Sequence, residues 1–273
     1  MLRTIHVGID GSAASRAAVT LALAWAAKHG AKLLGHAPVA EPFITEAEAM
    51  PMGGAYFQGH RDEARLNDAK ARAQIALDVF AKRCAEASVT ATTVLEIGEP
   101  ATLLHQRAET ADLTMLGHQT YFHFDSNSDP DTALAAALHH PPRPVVVVPE
   151  TAATGSKVMI AYDGSAEAAR ALMAAVACGL AENAVVVTVR ETLAEAQTIS
   201  QRAIDYLASH TVAATARAVA SKQAIGEVLR AEVKDAGLLV MGAFSHSSLH
   251  QFFFGSTTKA VLHRLTVPVF LFH

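Results

Sequence analysis

Short apolar runs alternate with longer alanine-rich or amphipathic stretches along the whole chain. The runs have the length and composition of buried parallel strands, and the stretches between them are typical of helices. This alternation predicts an α/β fold with right-handed crossovers and parallel sheets covered on both faces. The predicted strands are residues 3–9, 31–38, 89–96, 112–117, 144–149, 157–162, 184–190, 212–219, 237–242 and 267–272, and the predicted helices are 13–29, 62–87, 100–110, 131–139, 166–181, 194–209, 223–235 and 256–265.

The second part of the chain repeats the first. In both copies an apolar strand ends in Asp-Gly-Ser-Ala before an alanine-rich helix, for which Ser12 and Ser165 are the predicted N-caps. Three segments of the first half recur in the same order in the second half. This duplication predicts two five-stranded open α/β domains, 1–150 and 156–273, with a linker between them. The recurring segments are Ile5–Ala13 with Val158–Ala166, Asp112–Gly117 with Gly237–Gly242, and Pro144–Pro149 with Pro268–His273.

The first half carries an additional segment between its first two matches. We place it at Glu41–Asp68, where Pro42, Pro51, Gly53 and Gly54 predict a loop that leads into the following helix.

Composition indicates a globular protein rather than a disordered one, with 51% hydrophobic and 18% charged residues. The net charge is −4 and no basic block is present, so nucleic acid is not an expected partner. Cys84 and Cys178 lie in helix-like segments, which favours buried, reduced thiols. The first residues suit a strand rather than a signal peptide, and no apolar run has membrane-spanning length. We therefore expect a cytoplasmic protein without a membrane partner.

The candidate chemistry lies between Gly237 and Thr258. A buried strand ends at Met241 and Gly242, a polar loop follows, and Gly255-Ser256-Thr257 precedes a helical pattern. Glycines allow a close backbone approach to phosphate, and N–H groups at a helix start favour an anion. An ordinary capped strand-to-helix loop fits the same pattern. Asp163 ends the first strand of this half, and ligands of open α/β sheets lie beyond the carboxyl ends of strands, so one crevice is expected to contain both features.

These residues resemble the universal stress protein family in its tandem form. The nucleotide-binding signature of that family is glycine, two residues, glycine, nine residues, then glycine followed by serine or threonine. Here Gly242, Gly255 and Ser256 keep that spacing, and Ser245 replaces the second glycine. With the Asp-Gly-Ser-Ala segments, the resemblance covers essentially the whole chain.

The resemblance implies a Rossmann-like fold of the adenine nucleotide α-hydrolase type, whose halves pack as an internal pseudo-dimer through strands 144–149 and 267–272. It also implies ATP, with Mg²⁺ or Mn²⁺, in the second half. Asp163 would contact the ribose or adenine, and the backbone of Ala161 and Val189 would line the base pocket. The phosphates would lie against the segment that follows Met241, on Gly242, Ser245, Gly255, Ser256 and Thr257.

The first half departs from the signature. Thr120 stands in place of the second glycine, and Pro130-Asp131 stands in place of Gly-Ser. Proline lacks an N–H donor, and Asp125, Asp129 and Asp131 would repel phosphate. We expect no nucleotide here, only a structural partner or a different ligand, and we expect Asp10 to stabilise a turn and a helix start.

These observations favour an ATP-binding stress protein that acts as a nucleotide-dependent regulatory switch. No nucleophile or water-positioning residue is evident, so at most slow ATP hydrolysis is expected. Two alternatives remain: an interaction scaffold whose loop Ser245 has disabled, and a binder of cyclic AMP or a lipid-like molecule. His246 and His250 are interpreted as solvated loop histidines rather than metal ligands. Protein partners and a homodimer are left open.

Overall fold

A computed structural model describes residues 1–44, 55–125, 129–139, 141–151, 155–233, 236–243, 261–262 and 266–272. The chain has an α/β fold and divides into two compact units. One is Arg3–Pro142, and the other is Arg143–His273 together with Met1–Leu2. None of the helices in the described ranges combines the length and the apolarity that crossing a membrane requires.

The first unit contains a parallel sheet in the order β3-β2-β1-β4. Its strands are short and almost wholly buried at the centre, as the apolar runs predict. Its elements are β1 (Thr4–Gly8), α1 (Ala13–His29), β2 (Lys32–Ala40), α2 (Glu41–Ile44), α3 (Ala55–Glu86), β3 (Ala91–Gly98), α4 (Pro100–Ala108), β4 (Leu113–Gly117) and α5 (Ala133–Ala137).

The second unit contains strands in the order β5-β10-β9-β6-β7-β8. All neighbours are parallel except β5 and β10. Its elements are β5 (Val145–Val148), β6 (Lys157–Ala161), α6 (Ala166–Ala177), β7 (Ala184–Arg190), α7 (Leu193–Ser209), β8 (Ala214–Ala220), α8 (Ile225–Glu232), β9 (Ala236–Gly242) and β10 (Val269–Phe272).

The antiparallel pair joins the final strands of the two sequence repeats. Val146 on β5 is the register partner of Phe270 on β10, and neither side chain is exposed. The pairing that the resemblance implied for these two strands is therefore present. As a result β5, which belongs to the first repeat by sequence, lies in the sheet of the second unit.

Both predicted N-caps are confirmed. The Ser12 hydroxyl accepts a hydrogen bond from the Ser15 N–H at 3.0 Å, and the Ser165 hydroxyl accepts one from the Ala168 N–H at 3.1 Å. Each bond satisfies a backbone donor that a helix start otherwise leaves unpaired.

The loop predicted over Glu41–Asp68 is wrong in its described part. Residues 41–44 form α2, and α3 begins at Ala55 and continues to Glu86. The residues from His60 to Asp68 are mostly good helix formers, which outweigh Gly59 inside the helix. A Cβ at Gly59 would have no atom within 4 Å, so this glycine is not required by packing.

Candidate functional site

The predicted site lies at the carboxyl edge of β6, β7 and β9. β6 is the first strand of the second repeat and pairs with β7 on one side and β9 on the other. From β6 the chain continues to β7 and β8 on one side, and it then crosses to β9 on the other side of β6. This reversal makes the edge beside β6 the topological switch point of the sheet, where open α/β folds form a crevice. Ala161 and Met241 are register partners there, so the structure places these two predicted residues side by side.

Asp163 lies in the turn between β6 and α6. The Ser165 N–H donates to its Oδ1 at 2.9 Å, and Gly164 between them has a φ of 81°, a left-handed conformation that glycine adopts without strain. Oδ2 of Asp163 receives no hydrogen bond from the described residues, and the side chain is partly exposed. One carboxylate oxygen is therefore available to a ligand in this part of the structure.

Gly242 approaches the first turn of α6 closely. A Cβ at this position would lie 2.6 Å from the Ala168 nitrogen and 2.7 Å from the Glu167 carbonyl carbon. Gly117 has the same role in the first unit, where a Cβ would lie 2.7 Å from that of Ala14. Packing of strand against helix therefore requires both glycines, whether or not a ligand is bound.

Glu167 brings an unpaired carboxylate oxygen to this edge. Its Oε2 is buried and has no hydrogen-bond partner among the described residues. Glu167 occupies the first turn of α6, where the helix dipole stabilises a negative charge. The sequence analysis did not single out this residue.

Arg190, at the end of β7, was also missed. Its Nη2 donates to the Asp163 carbonyl, and its Nε lies 3.3 Å from Oε1 of Glu195. The side chain is 25% exposed, and its guanidinium holds the Asp163 turn at the crevice. A charged residue directly after an apolar strand was the available signal, since carboxyl ends of strands converge on the site.

Val189 on β7 is buried, and its carbonyl accepts a hydrogen bond from Nη1 of Arg190 at 3.3 Å. Four predicted phosphate contacts lie outside the described residues: Ser245, Gly255, Ser256 and Thr257. His246 and His250 lie outside them as well. The described residues contain no group of three or more histidine, cysteine or acidic side chains that could hold a metal ion.

The corresponding edge of the first unit is closed by its own chain. Asp10 uses both carboxylate oxygens: the Ser12 N–H donates to Oδ1 at 2.8 Å, and the Tyr121 N–H donates to Oδ2 at 2.9 Å. The carbonyl of Phe122 accepts from the N–H of Ala40, at the end of β2, at 2.9 Å. Phe122 itself is fully buried. The segment 118–125 thus occupies the place where a nucleotide would meet Asp10.

Asp131 fixes this segment from behind. It accepts hydrogen bonds from the Thr120 hydroxyl, from the Phe122 N–H at 2.5 Å and from the Ala133 N–H at 2.9 Å. The sequence analysis read Asp131 only as a residue that repels phosphate. In the structure it accepts hydrogen bonds that hold the loop 118–125 in place.

In both Asp10 and Asp131, burial raises the pKa of the carboxyl and hydrogen bonds lower it. Burial raises the pKa of Asp10, although hydrogen bonds from Ser12 and Tyr121 oppose that effect. For Asp131 burial also acts upward, but hydrogen bonds from Thr120 and the backbone, together with the His123 ring 3.8 Å away, outweigh it and lower the pKa. Asp131 is therefore ionised at neutral pH.

Comparisons with known proteins agree with the duplication. The universal stress protein family matches residues 1–149 and again 155–273. A universal stress protein structure from Archaeoglobus fulgidus DSM 4304 is similar at a TM-score of 0.72 and 16% identity, covering 98% of this chain and 97% of that one. A protein of unknown function from Pseudomonas aeruginosa PAO1 is similar at a TM-score of 0.54 and 18% identity, covering 99% and 92%. At these identities the structures support the fold alone. Curated proteins gave no match.

Proposed function

The chain belongs to the universal stress protein family, and from this we propose that its second half binds an adenine nucleotide, ATP with Mg²⁺ or Mn²⁺, as a regulatory switch. The observation that carries the proposal is the difference between the two aspartates. Tyr121 occupies Oδ2 of Asp10, whereas Oδ2 of Asp163 has no partner among the described residues. The same turn is closed in one half and available in the other.

The groups around Asp163 fit the proposed ligand. A free carboxylate oxygen at a switch point is suited to a ribose hydroxyl or an adenine amino group. The spacing of Gly242, Gly255 and Ser256 supports phosphate contacts by backbone N–H and hydroxyl groups. Ser245 adds a further hydroxyl donor in this proposal.

Glu167 supports a divalent cation with the nucleotide. Its buried Oε2 lacks a partner, and a carboxylate beside phosphate is repulsive unless a cation lies between them. Carboxylate and phosphate oxygens are the ligands that Mg²⁺ prefers. We include Glu167 among the proposed metal contacts for this reason.

The proposed role is binding rather than catalysis. We propose at most slow hydrolysis, because Glu167 is assigned to the cation and the sequence names no arginine finger or water-positioning residue. A bound nucleotide shifts an equilibrium between conformations only when it binds one of them better. We therefore propose that nucleotide occupancy controls the binding of a protein partner.

The test is the thermal midpoint of nucleotide-free protein with and without Mg-ATP. Ligand at a hundred times its dissociation constant stabilises the folded state by about 2.7 kcal/mol. We expect this shift in the wild type and its loss in Asp163→Ala and in Gly255→Asp. In Glu167→Gln, we expect a smaller difference between the midpoint shift produced by ATP with Mg²⁺ and the shift produced by ATP without Mg²⁺.

The matched control is Asp10→Ala in the first half. This change lowers the midpoint, but the shift produced by Mg-ATP should remain. Cyclic AMP and AMP are tested in the same way, and a larger shift with either of them than with Mg-ATP would indicate that the ligand is a nucleotide without a triphosphate. Absence of any shift at millimolar nucleotide would remove the proposal and leave the interaction scaffold as the leading function.

A further inference from the structure

A groove in the first unit lies between α1 and α3, and no part of the proposed nucleotide site uses it. Its volume is about 360 Å³, near the lower end of the range of roughly 300–1,000 Å³ for small-molecule pockets. Val19 and Phe80 form a buried floor, whereas Ile75 and Val79 are 62% and 49% exposed. The groove therefore offers apolar surface that the described residues do not cover.

Three arginines line the same groove: Arg16 on α1, and Arg72 and Arg83 on α3. Arg16 donates to the Gly11 carbonyl at 2.6 Å. Arg83 reaches across to α1, where it donates to the Arg16 carbonyl at 3.3 Å and to the Thr20 hydroxyl at 2.8 Å. Arg16 and Arg83 form no ion pair with a carboxylate in the described parts of the chain, so their charges are not neutralised there.

The acidic groups near the groove are already engaged. Asp68 pairs with Arg72 at 2.8 Å, and Arg72 also donates to the Phe124 carbonyl at 3.3 Å. Asp10 lines the groove, but both of its oxygens accept backbone hydrogen bonds. The balance of charge at the groove is positive.

The second half provides an internal comparison. Ala76 of α3 lies 3.7 Å from the position of a Cβ on Gly11, and Ile199 of α7 lies 3.4 Å from that of a Cβ on Gly164. At this alignment the buried positions Phe80 and Ala203 also correspond, which supports it.

Each feature of the groove is absent from the corresponding positions of the second half. The larger Ile199 stands in place of Ala76. Arg83 corresponds to Tyr206, and Arg72 corresponds to Glu195. The groove is thus particular to the half whose nucleotide edge is closed, and duplication of the fold does not account for it.

We propose that this groove binds an amphipathic anion, with a carboxylate or phosphate head on the arginines and an alkyl tail along Ile75, Val79 and Phe80. The tail removes exposed apolar surface from water, and the head forms charge-assisted hydrogen bonds with an arginine of the groove, Arg16 or Arg83. Arg72 and Arg83 lie roughly 16 Å apart along the axis of α3, which accommodates a medium-length chain.

Isothermal titration of the full chain with decanoate and with decyl phosphate, below micelle formation, tests the proposal. We expect saturable binding of at least one of them to one site per chain, and binding of neutral decanol weaker by roughly tenfold or more. Stronger binding of decanoate points to a free acyl carboxylate, and stronger binding of decyl phosphate points to a lipid phosphate. Inorganic phosphate, which lacks the tail, should bind weakly.

Two variants test separately how the tail and the head of the ligand contribute to binding. Ala76→Ile fills the groove as Ile199 does in the second half, and it should abolish binding while the thermal midpoint is retained. Arg16→Gln with Arg83→Gln should reduce the affinity for the anions and leave that for decanol unchanged.

Lys82→Gln is the matched control, because it removes the same charge from an exposed position of α3 outside the groove. It should bind as the wild type does, and so should Asp163→Ala. No saturable binding of either anion to the wild type, unchanged binding by Ala76→Ile, or an equal loss in Lys82→Gln would overturn the proposal.

Discussion

Two buried histidines form the centre of a row of polar side chains across the sheet of the first unit. His6 on β1 has Nδ1 3.1 Å from the Thr114 hydroxyl and Nε2 3.1 Å from Nδ1 of His36 on β2. Nε2 of His36 lies 3.1 Å from Oε2 of Glu96, close enough for an electrostatic contact but outside hydrogen-bond geometry, and the Glu96 carboxylate accepts two hydrogen bonds from Arg107. An ionised carboxylate can only accept, so this row assigns the His36 proton to Nε2 and the His6 proton to Nε2. Both rings are neutral with a defined tautomer.

The environment of these rings favours the neutral form. Burial lowers the pKa of His6 well below its usual value, and His36 and Arg107 add to that effect. Burial is also the largest cause for His36, whose pKa is lowered to about 4 although Glu96 acts in the opposite direction. An unfolded histidine titrates near pH 6.5. Between these values the unfolded chain binds protons that the folded chain does not, so stability falls as the pH falls through that window.

Acidification from pH 7.5 to pH 5 should therefore lower the urea midpoint of the wild type. Keeping His36 neutral contributes about 3 kcal/mol to the free energy of unfolding at neutral pH, and this contribution is fully lost only below about pH 4. His36→Gln keeps a donor toward Glu96 and an acceptor toward His6 but cannot gain a charge, so its midpoint should change less with pH.

The exposed His210 in the second unit provides the control for this measurement. His210→Gln should follow the wild type over the same pH range. Equal slopes for His36→Gln and the wild type would contradict the assignment.

Individual residues were predictable from sequence where a local pattern fixes their contacts. Ser12 and Ser165 stand directly before alanine-rich helices, and both cap them. The contacts of Asp10 with Tyr121, and of Arg190 with the Asp163 turn, join positions far apart in the chain. Local patterns carry no information on such contacts.

At the scale of elements, the loop 118–125 covers Asp10 in the first unit, where the Tyr121 N–H donates to its Oδ2. Proline and aspartate in place of Gly-Ser predicted that this half had lost its phosphate contacts. They did not predict that the loop folds back onto Asp10, because that closure depends on the buried acceptor Asp131. The sequence predicted the loss of the phosphate contacts, and the tertiary contacts show that Asp10 accepts a hydrogen bond from the Tyr121 N–H.

Asp131→Ala should destabilise the first unit. The change leaves the Thr120 hydroxyl and the buried Phe122 N–H without their acceptor, which costs about 2–4 kcal/mol of unfolding free energy. Amide exchange over 119–124 should become faster, while the Mg-ATP shift proposed for the second half should be unaffected.

Asp129 provides the control, since it is exposed in the same segment. Asp129→Ala should change the unfolding free energy by no more than about 0.5 kcal/mol. If the two variants were equally stable, Asp131 would not be the anchor of the loop.

In the described ranges the helices and strands were predicted well because most apolar runs are short and bounded by turn residues. Most of the helix predicted at 256–265 lies outside those ranges. The error at α3 has a local cause, since Gly59 lies in its second turn and further glycines and prolines precede the helix, which are residues typical of loops. The hydrophobic period identifies the part of a helix that packs against its neighbours, and it does not fix the residue at which the helix begins.

At the scale of the whole molecule, the sequence repeat and the compact unit do not coincide. The first repeat ends after β5, but β5 pairs with β10 and belongs to the second unit. The four valines of β5 are almost fully buried, so this pairing combines main-chain hydrogen bonds with apolar contacts. We therefore predict that the linker that follows β5 is not needed to keep β5 in that sheet.

A protease site introduced into the linker 150–156 tests this arrangement. After cleavage, β5 remains covalently joined to the N-terminal piece while it pairs with β10 of the C-terminal piece. We expect the two pieces to co-elute in size-exclusion chromatography at the volume of the uncut chain.

Val146→Asp places a charge in the fully buried pair opposite Phe270 and should cause the cut pieces to separate. Arg143→Asp introduces the same side chain at an exposed position before β5 and should leave them together. Separation of the wild-type pieces in native buffer would show that the β5–β10 pair does not hold without the linker.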